Sequence, residues 1–170
     1  MSAGAIIVLA LLVFIGITIF KGVRIVPQGY KWIVQRLGKY HTTLSPGLNF
    51  VIPYVDEVAY KITTKDIVLD IPSQEVITRD NAVLVMNAVA YINLTTPEKA
   101  VYGIENYTWA IQNLVQTSLR SIVGEMDLDD ALSSRDHIKA KLKAAISDDI
   151  SDWGITLKTV EIQDIQPSHT

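Results

Sequence analysis

Residues 83–100 read VLVMNAVAYINLTTPEKA, and the fold turns on a change of period inside that run. From Val83 to Leu94 both alternating faces are apolar apart from Asn87 and Asn93, a pattern that predicts a central strand covered on both sides. Thr96-Pro97-Glu98 then has the form of a helix start: a capping hydroxyl, proline at the first helical position, and an acid at the positive end of the helix dipole.

Towards the N-terminus the strand period persists. Gln74–Thr78 and Val83–Leu94 flank Arg79-Asp80-Asn81-Ala82, where Asp and Asn favour a tight turn, so the two segments predict a hairpin. Ile67, Leu69 and Ile71 share one face of a run that Pro72 is expected to end, and Val58, Tyr60 and Ile62 share a face of another. Tyr30, Trp32 and Val34 alternate with Lys31, Ile33 and Gln35 in a strand, and Leu37-Gly38-Lys39 reads as a turn.

Towards the C-terminus the helical period takes over. Ile111, Leu114, Val115, Ile122 and Val123 fall on one stripe of a helix ending near Gly124, and Asp127–Asp130 starts a short one. Ser134 starts a longer helix with Ile138, Leu142, Ile146 and Ile150 at successive i+4 steps, stopped by Gly154. Ile155–Ile165 is a returning strand whose apolar phase shifts between Leu157 and Val160, which predicts a bulge. Strands, then helices, then a strand predict an α+β fold of antiparallel strands with packed helices. The expected division is an anchor over residues 1–22, a mostly β first part over 23–95, and a second part of helices and the returning strand over 96–170.

Ahead of all this, Ala3–Phe20 (AGAIIVLALLVFIGITIF) carries no charge, and its one hydroxyl, Thr18, can bond back to its own helix. At about 1.5 Å per residue a helix of this length crosses a hydrocarbon layer of roughly 30 Å, with Ala3, Ile6, Ile7, Leu11, Leu12, Phe14, Ile17 and Phe20 facing lipid. A cleavable signal peptide would need a basic segment before the apolar run and a shorter core; here the basic residues follow it. Lys21, Arg24, Lys31, Arg36 and Lys39 lie between Lys21 and Val55 with no acid among them, so the positive-inside rule places the body in the cytoplasm, with a periplasmic body as the alternative. Beyond Val55 there are 10 basic and 18 acidic residues, a balance that argues against nucleic-acid binding. The absence of cysteine excludes disulfides, thiolate metal sites and cysteine nucleophiles.

Two readings stand for the proline-bounded segment Pro46, Gly47, Leu48, Phe50, Val51, Ile52 and Pro53. Its apolar side chains either dip into the headgroup boundary beside Arg36 and Lys39, or lead as a strand into the core. Asp127, Asp129 and Asp130 lack the glycine turn and terminal glutamate of a calcium loop and read as helix-start acids. His41, His137 and His169 show no ligand spacing, and neither a nucleophile elbow nor a glycine-rich phosphate loop is present, so no metal, cofactor or reaction is expected. Charged helical positions, Arg120, Glu125 and Arg135 among them, are candidates for contacts between subunits, beside Asp136, Lys139, Lys141 and Lys143.

Several phrases carry a family resemblance: Val26-Pro27-Gln28-Gly29, Arg36-Leu37-Gly38-Lys39-Tyr40, Pro46-Gly47-Leu48 with Pro53, and Gln74-Glu75-Val76-Ile77-Thr78 with Asp80-Asn81. Leu119-Arg120-Ser121, Gly124-Glu125-Met126, Leu132-Ser133-Ser134-Arg135 and Trp153-Gly154-Ile155 follow in order. From about Val23 to Pro167 the chain resembles the stomatin/prohibitin/flotillin (SPFH, band 7) family, and within it the bacterial stomatin-like branch. The resemblance implies a non-enzymatic scaffold of the bacterial inner membrane that forms large homo-oligomeric rings or cages and organises membrane microdomains. It also implies an alternative role as an adaptor for a membrane protease, with an FtsH-type or NfeD-type partner. Family members usually continue past the equivalent of Ile165-Gln166-Pro167 into a long charged helix, so the downstream long helix is expected to be absent from this chain, which ends at Thr170.

Overall fold

The computed structural model describes residues 2–168, and the chain divides into two compact units, one up to Thr64 and one from Lys65. This division differs from a boundary at residue 95: the strand pair around Asp80 belongs with the helices that follow it, because those helices need its apolar face as their core.

In the first unit α1 (Ala3–Lys21) runs into β1 (Val23–Val26), β2 (Tyr30–Arg36), β3 (Lys39–Leu44), β4 (Gly47–Phe50) and β5 (Asp56–Thr63). β3-β2-β5 form one antiparallel sheet and β1-β4 a separate two-stranded ribbon. Lys39–Leu44, KYHTTL, has too few apolar residues to show a strand period, and its pairing with β2 through the Leu37-Gly38 turn is what orders it. Val26, Val34, Leu44 and Val51 are buried together, with Trp32 and Val58 packed against them, so the ribbon and the sheet share one small core.

The second unit is β6 (Ile67–Ile77), β7 (Val83–Leu94), α2 (Pro97–Gly103), α3 (Tyr107–Gly124), α4 (Leu128–Ser133), α5 (Arg135–Ser151) and β8 (Ile155–Pro167). β7 lies between β6 and β8, all antiparallel. Leu84, Met86, Ala88, Ala90, Ile92 and Leu94 form its buried face, which meets the stripes Ile111/Val115/Leu119/Val123 of α3 and Ile138/Leu142/Ile146/Ile150 of α5. The opposite face is only partly covered: Val89 is buried, but Val85, Asn87, Tyr91 and Asn93 are half-buried, which corrects the expectation of a strand covered on both sides. Pro72 does not end a strand either. It sits in a bulge between Ile71 and Gln74, where its missing N–H costs no ladder bond, and β6 continues to Ile77.

At the hairpin, Asn81 adopts φ 69°, and Thr78 Oγ1 bonds Asp80 while accepting from the Ala82 N–H. Asp80 also accepts from the Leu128 N–H at 3.2 Å, so Asp80 serves the start of α4, and Asp127 turns its carboxylate to Arg79 at 2.6 Å. Thr96 stands at the start of α2 without a side-chain bond to the helix; its N–H donates to Gly154 O. Beyond Leu157, β8 carries the expected shift of register and a second one near Gln163.

Candidate membrane-proximal site

Every described residue of α1 up to Lys21 is exposed or, at Thr18, half-exposed, and none of the helix is buried by the rest of the chain. A 19-residue helix with no charge before its last position and no protein cover is long and apolar enough to cross a membrane. Thr18 Oγ1 donates to Phe14 O at 2.9 Å, satisfying the one hydroxyl of the helix within it. Ala3, Ile6, Ile7, Leu11, Leu12, Phe14, Ile17 and Phe20 all lie on this exposed surface, and Phe20 at 81% exposure ends it.

The helix is joined to the β ribbon by a tight contact at Gly22. Gly22 O accepts from the Val51 N–H at 2.8 Å, and a Cβ built at Gly22 would lie 2.5 Å from Val51 O and 2.8 Å from the Phe50 ring. Only a residue without a side chain lets β4 come this close. Beyond it, Val23 pairs with Phe50 and Ile25 with Leu48. Directly opposed residues of an antiparallel pair share a face, so these four side chains form one apolar surface, with Leu48 and Ile25 at least 70% exposed. Val26, on the other face, is buried.

The segment 46–53 divides between the core and the surface. Val51 enters the core, whereas Leu48, Phe50 and Ile52 stay exposed on the ribbon and in the turn after it, with Tyr54 next at 73% exposure. Asp56 holds this turn. Its carboxylate accepts from Arg36 Nε at 2.7 Å and Nη2 at 3.1 Å and from the Ile52 N–H at 2.9 Å, and its side chain is almost wholly buried. The Arg36 hydrogen bonds, assisted by that of Ile52, hold the Asp56 carboxyl down at about 2 against the cost of burial. Arg36 is thus committed to an internal pair and is not a free lipid contact.

Near the helix end, Arg24 Nη1 donates to Lys21 O at 2.6 Å and to Val23 O at 3.0 Å, and Lys21 Nζ lies 5.8 Å from the centre of the Tyr54 ring. Lys21, Arg24, Ile25 and Tyr54 were not singled out as a group by sequence reasoning. The signal was the alternation of apolar and basic residues just after the apolar helix, which acquires meaning only when β4 pairs beside it.

The three charged positions, Arg120, Glu125 and Arg135, belong to the second unit. Arg120 donates to Gln74 Oε1 at 3.2 Å, Arg135 donates to Gln163 O at 3.3 Å, and Glu125 caps the end of α3 with its backbone while its side chain is exposed. No group of three His, Asp or Glu residues able to hold a metal occurs among the described residues, and His169 lies outside them.

Comparison with known proteins gives this geometry its family. An uncharacterized protein of Methanocaldococcus jannaschii is 41% identical over 149 residues, covering 88% of this chain and 74% of that protein. An uncharacterized protein of Mycobacterium tuberculosis is 36% identical over 165 residues, covering 97% of this chain. The human protein called stomatin-like protein 2, mitochondrial, is 38% identical over 143 residues, 84% of this chain. The chain spans 43% of the mycobacterial relative and 40% of the human one. Residues 24–170, the whole body after the apolar helix, match the SPFH domain / Band 7 family, and the chain belongs to that family.

Proposed function

We propose that this chain is a membrane-anchored, stomatin-like scaffold that assembles with copies of itself into rings or cages and organises the surrounding membrane. One observation carries the reading: an uncovered apolar helix continues, through Gly22, into an apolar ribbon face of Val23, Ile25, Leu48 and Phe50. A body so joined is held against the bilayer by two contacts, and each fully buried apolar side chain contributes roughly 1.5–3 kcal/mol. Confinement to one surface raises the effective concentration of copies, so weak lateral contacts, with the exposed Glu125 and the flanks of Arg120 and Arg135 as candidates, suffice to assemble them. The role is structural, with no reaction assigned to the chain. The basic collar from Lys21 to Lys39 favours a cytoplasmic body on a bacterial plasma membrane.

The test is the mass of the full-length protein extracted from native membranes in mild detergent, followed by electron microscopy. A large homo-oligomer is the expected result; monomers alone would sink the scaffold.

A second reading, an adaptor controlling access to a membrane protease, draws on the open face of the second sheet. There the half-buried Val85 and Tyr91 are accompanied by exposed Asp70, Glu75 and Asp164, a surface suited to a basic partner. Stoichiometric co-purification of a protease from native membranes supports it, and recovery of none counts against it.

A further inference from the structure

A groove opens where α1 meets the ribbon, bounded by Phe20, Lys21, Arg24, Trp32 and Tyr54. Its lining is mostly aromatic and aliphatic, with Lys21, Arg24 and Asp56 as the charged members. Neither Lys21 nor Arg24 pairs with a carboxylate among the described residues. The nearby Asp56 is spent on Arg36 and the Ile52 N–H, so it offers no counter-charge to them. The carbonyls at the end of a helix repel anions, but here Arg24 covers Lys21 O and Val23 O with one Nη and keeps its remaining donors. The result is an electropositive, aromatic-walled recess at the level where an apolar span must give way to headgroups.

We propose that this groove binds one anionic glycerophospholipid of the adjoining leaflet, its phosphate held by Lys21 and Arg24 and its glycerol and upper acyl chain against Phe20, Trp32 and Tyr54. The proposal rests on the reading of α1 as a membrane span. An ammonium and a guanidinium together suit a phosphodiester, and tyrosine and tryptophan suit the interface, where one end of the ring is apolar and the other wet. A zwitterionic lipid brings its own cation to the same place and loses the advantage.

The experiment uses the full chain in vesicles of equal phosphatidylglycerol and phosphatidylcholine, extracted gently, with retained lipids counted by native mass spectrometry. Phosphatidylglycerol is expected to be retained preferentially. Lys21→Gln and Arg24→Gln each weaken that retention about fivefold, the ratio set by one basic residue at a membrane surface. Arg24→Lys keeps most of it, whereas Lys39→Gln, at the β2–β3 turn outside the groove, leaves it unchanged. Equal retention of the two lipids overturns the site, as does an equal loss in Lys39→Gln, which would mean a diffuse field. Displacement of the lipid by inorganic phosphate alone would also overturn it, by making the ligand a soluble anion. Alkaline carbonate extraction separates the two levels: release of the wild-type chain brings down the span and the site with it, whereas loss of lipid preference with the chain still embedded refutes the site alone.

Discussion

Asp56 is the first acidic residue in the chain, and it shows how one side chain organises its surroundings. It lies 20 residues from Arg36 and four from Ile52, and antiparallel pairing of β2 with β5 brings all three together. Asp56→Asn removes the charge from a buried pair and is expected to cost about 1–3 kcal/mol, read as a lower urea midpoint. Because the folded-state pKa, about 2, lies below the ordinary 3.8, the ionised carboxylate stabilises the fold fully above about pH 4. That contribution fades as pH falls towards 2, so acid titration of the wild type should show a loss that Asp56→Asn lacks. Gly154 makes a second point. It sits at φ 70°, and a Cβ there would collide with Thr96 O and press on Lys99, so Gly154→Ala is expected to lower stability by about 1–3 kcal/mol by thermal or urea unfolding. Its role as the stop after α5 was legible in the sequence. Its closeness to the start of α2, more than fifty residues earlier, was not, because no local pattern encodes that approach.

Among elements, α5 and β8 are coupled by a row of side chains. Arg135, Lys139 and Lys143, each four apart, reach Gln163 O, the Glu161 carboxylate and Lys158 O along the edge strand β8. On the far edge Gln112 from α3 donates to Asp70 O of β6 at 2.9 Å. Both open edges of this sheet are thus occupied by side chains of the helix beside them, which hinders pairing with a foreign strand. Replacing Arg135, Lys139 and Lys143 together by Ala is expected to cost under about 1 kcal/mol, since exposed pairs contribute little, yet to raise concentration-dependent scattering of the protein. Leu142→Ala, in the buried stripe of the same helix, should by contrast cost about 2–5 kcal/mol in chemical unfolding without promoting edge pairing. The stripe was readable from its i+4 spacing, whereas the basic row on its flank looked like any solvated face until β8 lay next to it.

For the molecule as a whole, charge and apolar surface are distributed unevenly. Residues 1–64 carry six basic and two acidic side chains, and residues 65–170 carry nine and sixteen, so one unit is attracted to an anionic surface and the other repelled. Since the chain has no cysteine, single cysteines can report on this directly. An environment-sensitive probe on Leu48→Cys should shift to the blue when the protein is reconstituted in vesicles, and the same probe on Ile77→Cys, also exposed but in the acidic unit, should not.

The long apolar helix, the strand and helix periods, the i+4 core stripe of α5 and the family phrases were legible in the sequence, because each depends on residues close together in the chain. Tertiary structure alone decided that β3 is a strand, that β6 passes through Pro72, that one face of β7 is only partly covered, and that the chain divides at Thr64. The same holds for the groove beside Gly22. Its walls come from segments as far apart in the chain as Phe20 and Asp56, and only long-range strand pairing, whose register no local period specifies, brings them together.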